Sequence, residues 1–108
     1  MKFNVSILLL LAGLIVSLQG VIVDNQIEQP VVVSDFGVWQ QKELVYQHRG
    51  SLVVMPGDRI DLVQYHLWPD VITIKIGEQE WLCDGLKKDS IVLCSENEDG
   101  TFNVDELK

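Results

Sequence analysis

The feature that most constrains the fold is the stretch from residue 70 to residue 94, DVITIKIGEQEWLCDGLKKDSIVLC. It begins with alternating apolar and polar residues and contains both cysteines of the chain. Within it, Ile72, Ile74 and Ile76 lie two residues apart, so an extended backbone places all three on one face. A polar segment, residues 77–80, follows Ile76 and leads to Cys83. A second polar segment, residues 84–90, separates Cys83 from the apolar residues that end at Cys94. The pattern predicts a strand with one buried face, a return strand and a third strand.

Turn signals recur along the chain at short intervals. We interpret residues 77–80 as a four-residue hairpin loop, and residues 55–58 as a turn in which proline fixes φ and glycine accepts a positive φ. The pair Asp99 and Gly100 favours another tight hairpin. The segments between these signals predict about six to eight short strands, so the expected fold class is all-β, a small immunoglobulin-like β-sandwich.

The earlier part of the chain gives weaker signals. Residues 21–33 are rich in β-branched side chains, and Pro30 implies either an edge strand or a strand that begins after it. Residues 34–37 have the composition of a turn, and residues 38–46 fit either a short helix or a strand. Residues 59–64 alternate in polarity and predict a strand.

The first 20 residues have the organisation of a secretory signal peptide. Lys2 supplies a positive charge, residues 5–18 are mostly apolar, and Gly20 is a small residue after which cleavage is expected. The apolar run is shorter than the roughly 20 residues that span a bilayer, which disfavours a membrane anchor. We therefore expect a secreted, extracellular protein without a membrane span, in which residues 21–108 form one domain.

Cys83 and Cys94 are expected to form a disulfide, because an exported chain meets an oxidising environment and both residues are predicted on neighbouring strands. Such a bond would close a loop of about 12 residues and contribute about 3 kcal/mol. The spacing does not fit a thiol-redox motif, and zinc would need two more ligands. His48 and His66, the only histidines, are interpreted as partly exposed sheet residues.

Trp81 lies two residues before Cys83, so the two side chains share a face of an extended strand. We expect Trp81 to point inward and its replacement by alanine to cost about 3–5 kcal/mol. The alternative is an exposed binding anchor, since tryptophan is enriched at interface hot spots.

One further pattern combines a strand that ends at Ile76 and Gly77, the cysteine at position 83, and the strand Ser-Ile-Val-Leu-Cys that ends at Cys94. Over residues 51–95 this pattern resembles the second half of an IPT/TIG immunoglobulin-like domain. Two features differ: the usual glycine-rich turn is missing, and Ser-Glu replaces the Thr-Pro expected after the second cysteine. The resemblance implies bonded cysteines and an interaction module, but it names no ligand, because a fold does not determine function.

The acidic tail carries a weak candidate metal site. On the pattern of a calcium loop that begins at Ser95, Gly100 occupies the turn position. The side chains at ligand positions would be Asn97, Asp99, Asn103 and Glu106. Serine replaces the usual aspartate at the first position, and the preceding segment is not helical in pattern. We therefore prefer a simple hairpin with solvated charges.

Charge and motifs narrow the expected function. Sixteen acidic residues against eight basic ones give a net charge of −8, which argues against nucleic acid and anionic membranes as partners. Asp58 and Asp61 would point to opposite faces of a strand, so they predict no catalytic pair. We expect a monomeric, cofactor-free binding module for an extracellular protein or ligand, not an enzyme. The alternatives are a calcium-binding protein, and an inhibitor or effector that acts through residues 77–80 or 84–90.

Overall fold

The structure is a computed structural model that describes residues 20–107, apart from the side chain of Arg49. The predicted signal peptide lies outside these residues except for Gly20. The strands are β1 (Ile22–Asn25), β2 (Val31–Gln40), β3 (Glu43–Val54), β4 (Arg59–Asp61), β5 (Val71–Ile76), β6 (Gln79–Cys83), β7 (Ile91–Glu96) and β8 (Phe102–Leu107). A 3₁₀ helix covers Leu62–Tyr65. Nothing helical in the described part of the chain has the length and apolarity needed to cross a bilayer.

The strands form two four-stranded sheets. Sheet A has the order β4–β1–β7–β8, and sheet B has the order β3–β2–β5–β6. The β2–β3, β5–β6 and β7–β8 hairpins each lie within one sheet, and the other connections cross between the sheets. β1 runs parallel to β7 and antiparallel to β4. The prediction of an all-β sandwich is thus confirmed in its two-sheet form.

The core lies between the sheets, where strand alternation places the apolar side chains. Ile72, Ile74 and Ile76 of β5 are fully buried, as the alternating pattern predicted. Val23 of β1 and Val92 of β7 belong to the same buried cluster, so both sheets contribute to it. Each such side chain contributes about 1.5–3 kcal/mol through its removal from water.

Two segments differ from the prediction. Residues 34–37 were expected to form a turn but lie inside β2, where Asp35 has φ = 54° and the pairing with β3 shifts register as a β-bulge. The predicted strand at residues 59–64 is shorter, because the Asp61 carboxylate accepts the N–H of Val63 at 3.0 Å and caps the 3₁₀ helix. In both places the backbone departs from a regular strand, which alternation alone does not show.

Three predicted connections are present. Residues 55–58 form a turn in which Gly57 has φ = 80°, as the Pro-Gly signal required. The Asp-Gly turn of the acidic tail connects β7 to β8. The β5–β6 hairpin also forms, but Gln79 already pairs with Ile76, so its loop contains two residues instead of four. β2 begins directly after Pro30, which is one of the two arrangements that proline implied.

The β2–β3 hairpin extends beyond the strand beside it. β5 pairs with β2 only as far as Gly37, whereas β2 and β3 remain paired up to their connecting turn. The two turn residues, Gln41 and Lys42, have φ values of 51° and 69°, the positive values that a type I′ turn requires. Residues 38–46 therefore form a two-stranded extension at the end of sheet B, which we call the ribbon.

Candidate interaction surface

Trp39 is the central residue of the ribbon. Its backbone N–H donates to Asp70 Oδ2 at 3.0 Å, and its indole Nε1–H donates to Asp84 Oδ1 at 2.9 Å. Asp70 precedes β5 and Asp84 follows β6, so the two carboxylates attach the ribbon to the end of sheet B. The side chain is nevertheless 49% exposed. The indole is thus held in one orientation while much of its surface remains open to solvent.

Tyr46 and Leu44 extend the apolar surface around Trp39. Tyr46 pairs with Gly37 and Leu44 pairs with Trp39, so strand alternation places the three side chains on one face of the ribbon. Leu44 also covers Gly37 closely, because a Cβ atom built on that glycine would lie 2.7 Å from Leu44 Cδ1. Val45 is exposed on the opposite face. We call the face with Trp39, Leu44 and Tyr46 the aromatic face.

A second exposed tryptophan lies near the base of the ribbon. Trp68 is 55% exposed, and its backbone N–H donates to Gln47 Oε1 at 3.1 Å, beside Tyr46 in the chain. Trp81, which the sequence predicts to point inward, packs against the core and is only partly exposed. Its inward direction is as predicted. The two exposed tryptophans, Trp39 and Trp68, are those for which the sequence pattern made no prediction.

The predicted disulfide is not found. Cys83 and Cys94 are both buried, and no disulfide joins them. The prediction assumed neighbouring strands, but Cys83 ends β6 at the edge of sheet B, whereas Cys94 lies on β7 within sheet A. Burial, with a smaller contribution from Asp24, raises the pKa of the Cys94 thiol to about 12. Since the thiolate is the reactive form, Cys94 behaves as a small apolar core residue.

We expect the unreduced, denatured protein to show two reactive thiols per chain, and the folded protein to react only slowly, because both thiols are buried. A colorimetric thiol reagent, added with and without denaturant, measures both quantities. The Cys94→Ala variant is the internal control and should lower the denatured count to one. A denatured protein in which no thiol reacts until a reductant is added would contradict the unbonded state of the two cysteines.

The candidate calcium ligands lie on the β7–β8 hairpin, but the structure does not bring all four together. Asn97 and Asn103 exchange side-chain hydrogen bonds, and Asp99 Oδ1 accepts the N–H of Thr101 at 3.0 Å. Hydrogen bonds from Thr101 also lower the pKa of the exposed Asp99. Glu106 lies near the far end of β8, about 13 Å from the turn by the rise of a strand. Within residues 20–107, no group of three or more His, Cys, Asp or Glu residues is placed to hold a metal ion.

The two histidines line one cavity of about 480 Å³. His48 lies on β3, with its ring centroid 6.1 Å from that of Phe36. His66 ends the 3₁₀ helix with φ = 60° and is not part of a sheet, so the sheet prediction is right for His48 and wrong for His66. The topology thus brings together two residues that are far apart in sequence, which their spacing could not indicate.

Comparison with known proteins identifies no relative: no family model, no curated protein and no solved structure matches this chain. The resemblance to IPT/TIG domains therefore stays a prediction. The unbonded cysteines are one more difference from that pattern.

Proposed function

We propose that this protein is a secreted, extracellular binding module with an immunoglobulin-like sandwich, and that the aromatic face of the ribbon contacts a partner protein. The observation that carries the proposal is Trp39, whose indole is oriented by its hydrogen bond to Asp84 and whose backbone N–H is bound to Asp70, while the residue is half exposed. Tryptophan and tyrosine dominate the energetics of protein interfaces. A side chain that is already oriented loses less conformational freedom on binding.

The shape of the ribbon favours a protein partner over a small substrate. Small-molecule sites are concave, whereas the ribbon extends from the end of a sheet. A two-stranded extension offers side chains on both faces, so one face contacts the partner and the other remains in water. The net charge of −8 disfavours nucleic acid and anionic lipid surfaces.

The extracellular assignment rests on the signal-peptide pattern at the start of the sequence. Buried, unbonded cysteines are compatible with an oxidising compartment, because oxidation of a thiol depends on its exposure and on its thiolate fraction. The calcium alternative receives less support than the ribbon, since Glu106 lies away from the other three candidate ligands.

Replacement of Trp39 or Tyr46 by alanine is expected to reduce partner capture at least tenfold, because hot-spot residues contribute about 2 kcal/mol or more. The purified protein is immobilised, incubated with extracellular fluid from its source, and the retained proteins are quantified by mass spectrometry. Val45→Thr, on the opposite face of the ribbon, is the matched control and should retain the same partner as the wild type.

A Trp39→Phe variant separates the two roles of this residue, because it keeps an aromatic ring but loses the donor to Asp84. We expect intermediate capture from it. Circular dichroism of each variant establishes that the sandwich is folded. Equal retention of the same proteins by wild type, Trp39→Ala and Tyr46→Ala would exclude the aromatic face as the contact surface.

A further inference from the structure

A cavity of about 290 Å³ opens between the segment that precedes β5 and the connection from β6 to β7. Eight residues contribute to its wall: Gly20, Val21, Trp68, Pro69, Asp70, Leu86, Lys87 and Lys88. Cleavage after Gly20, as the signal-peptide pattern predicts, removes the first of them and leaves four apolar residues, two lysines and Asp70. Its volume is at the lower end of the range of small-molecule sites, about 300–1,000 Å³. Apolar walls with a few charged groups are the usual composition of such sites.

We propose that this cavity binds a small organic anion with an aromatic or aliphatic body. Lys87 and Lys88 are the only adjacent pair of Lys or Arg residues in the sequence, which has 16 acidic residues. Their ammonium groups provide a local positive charge for a carboxylate, sulfate or sulfonate. The exposed indole of Trp68 provides a flat apolar surface for the rest of the molecule. This site is additional to the protein contact of the ribbon and does not depend on it.

Hydrogen bonds fix the loop that carries the two lysines. The N–H of Leu86 donates to the carbonyl of Asp70 at 3.0 Å, which ties the loop to the segment before β5. The N–H of Lys87 donates to Ser90 Oγ at 2.9 Å, and the N–H of Ser90 returns to the Lys87 carbonyl at 3.0 Å. Ser90 is itself buried. The cavity is therefore formed before a ligand enters, so binding requires little ordering of the loop.

Asp70 also lines the cavity, and its negative charge opposes the binding of an anion. One of its carboxylate oxygens accepts the N–H of Trp39 at 3.0 Å, which partly compensates the negative charge. The two lysines outnumber this single carboxylate within the wall. A monoanion is therefore favoured over a neutral molecule of the same shape, and a cation is disfavoured.

Titration with three ligands of nearly equal shape tests the charge selectivity: phenylacetate, phenylacetamide and phenethylamine. Binding is followed by NMR shifts of the Trp68 indole N–H and of the Lys87 and Lys88 amides. We expect saturable shifts at these groups with phenylacetate, at least tenfold weaker binding of phenylacetamide, and weaker binding still of phenethylamine.

The Lys87→Gln/Lys88→Gln double variant should bind phenylacetate and phenylacetamide with similar affinity. Lys75→Gln, on the outer surface of sheet B, removes the same type of charge elsewhere and should preserve the tenfold preference. The site is refuted if the three ligands bind equally to the wild type, if phenylacetate produces no saturable shifts at millimolar concentration, or if the double variant keeps the preference.

Discussion

Replacement of Asn25 by alanine is expected to destabilise the protein by about 3–5 kcal/mol, because it leaves several buried polar groups without partners. Asn25 is fully buried at the end of β1. Its Nδ2 group donates to the carbonyls of Gln29 and Val54, both at 2.9 Å, and its Oδ1 accepts the N–H of Ile27 at 2.8 Å. One side chain therefore connects the end of β1, the following turn and the end of β3.

The backbone of Asn25 strengthens the same junction. Its N–H donates to the carbonyl of Asp58, and its carbonyl accepts the N–H of Gly57, both at 2.9 Å. The turn at residues 55–58 is thereby held against β1. Since the two sheets meet at this point, loss of the side chain is expected to lower the cooperativity of unfolding as well as the midpoint.

Denaturant unfolding measures the loss directly. Asn25→Asp keeps the acceptor for Ile27 but removes both donors and buries a carboxylate, so it should be at least as destabilising as Asn25→Ala near neutral pH. Asn103→Ala, which loses only exposed hydrogen bonds with Asn97, is the control and should lower the free energy of unfolding by about 1 kcal/mol or less. An Asn25→Ala protein as stable as Asn103→Ala would contradict the proposed role of the buried amide.

The second large effect is expected at Phe36, which is among the largest fully buried side chains of the described residues. Phe36→Ala should cost about 3–5 kcal/mol, because it removes a large apolar group and leaves a cavity. Trp81→Ala should cost less than Phe36→Ala, although the sequence alone suggested a loss of the same size. Trp81 lies on the edge strand β6 opposite Ile74 and is only partly buried, so part of its surface is already in water.

The test compares the losses in unfolding free energy of Phe36→Ala and Trp81→Ala, and the larger loss is expected for Phe36→Ala. Denaturant unfolding gives a midpoint and an m-value for each variant. The midpoints are compared only where the m-values agree, because a changed m-value reports a change in compactness and not in stability alone. Phe36→Leu retains much of the buried volume and should fall between wild type and Phe36→Ala. A loss at Trp81 that equals or exceeds the loss at Phe36 would show that β6 is more deeply packed than its edge position implies.

The β5–β6 half of sheet B could be predicted from the sequence, because the buried face of β5 preserves a period of two. The alternation from Ile72 to Ile76 fixed both the strand and its inward face. The Pro-Gly and Asp-Gly turns were also predictable, since those residue types match the backbone angles required. The bulge at Asp35 was not predictable, because Ser-Asp-Phe-Gly has the same composition whether it ends a strand or bends one.

The candidate surface depended on long-range pairing that local composition does not encode. Trp39 is exposed because the pairing of β2 with β5 ends at Gly37, whereas the pairing of β2 with β3 continues to Gln40. This difference depends on the relative register of β2, β3 and β5. The cysteine prediction failed for the same kind of reason, since it required knowledge of which sheet β6 and β7 each join. The buried role of Asn25 could not be predicted from the sequence. A single asparagine near β-branched residues is as compatible with an exposed turn as with a buried hydrogen-bonded position.

Site-specific photo-crosslinking is the most direct test of contact between the aromatic face and a partner. A benzoylphenylalanine group is placed at Tyr46 in one protein and at Leu82 in another. Leu82 is 72% exposed on β6, the edge strand on the other side of sheet B. After illumination in the native extracellular fluid, the proposed function predicts one dominant adduct from position 46 and none of that species from position 82. The same adduct from both positions, or from position 82 alone, would contradict it.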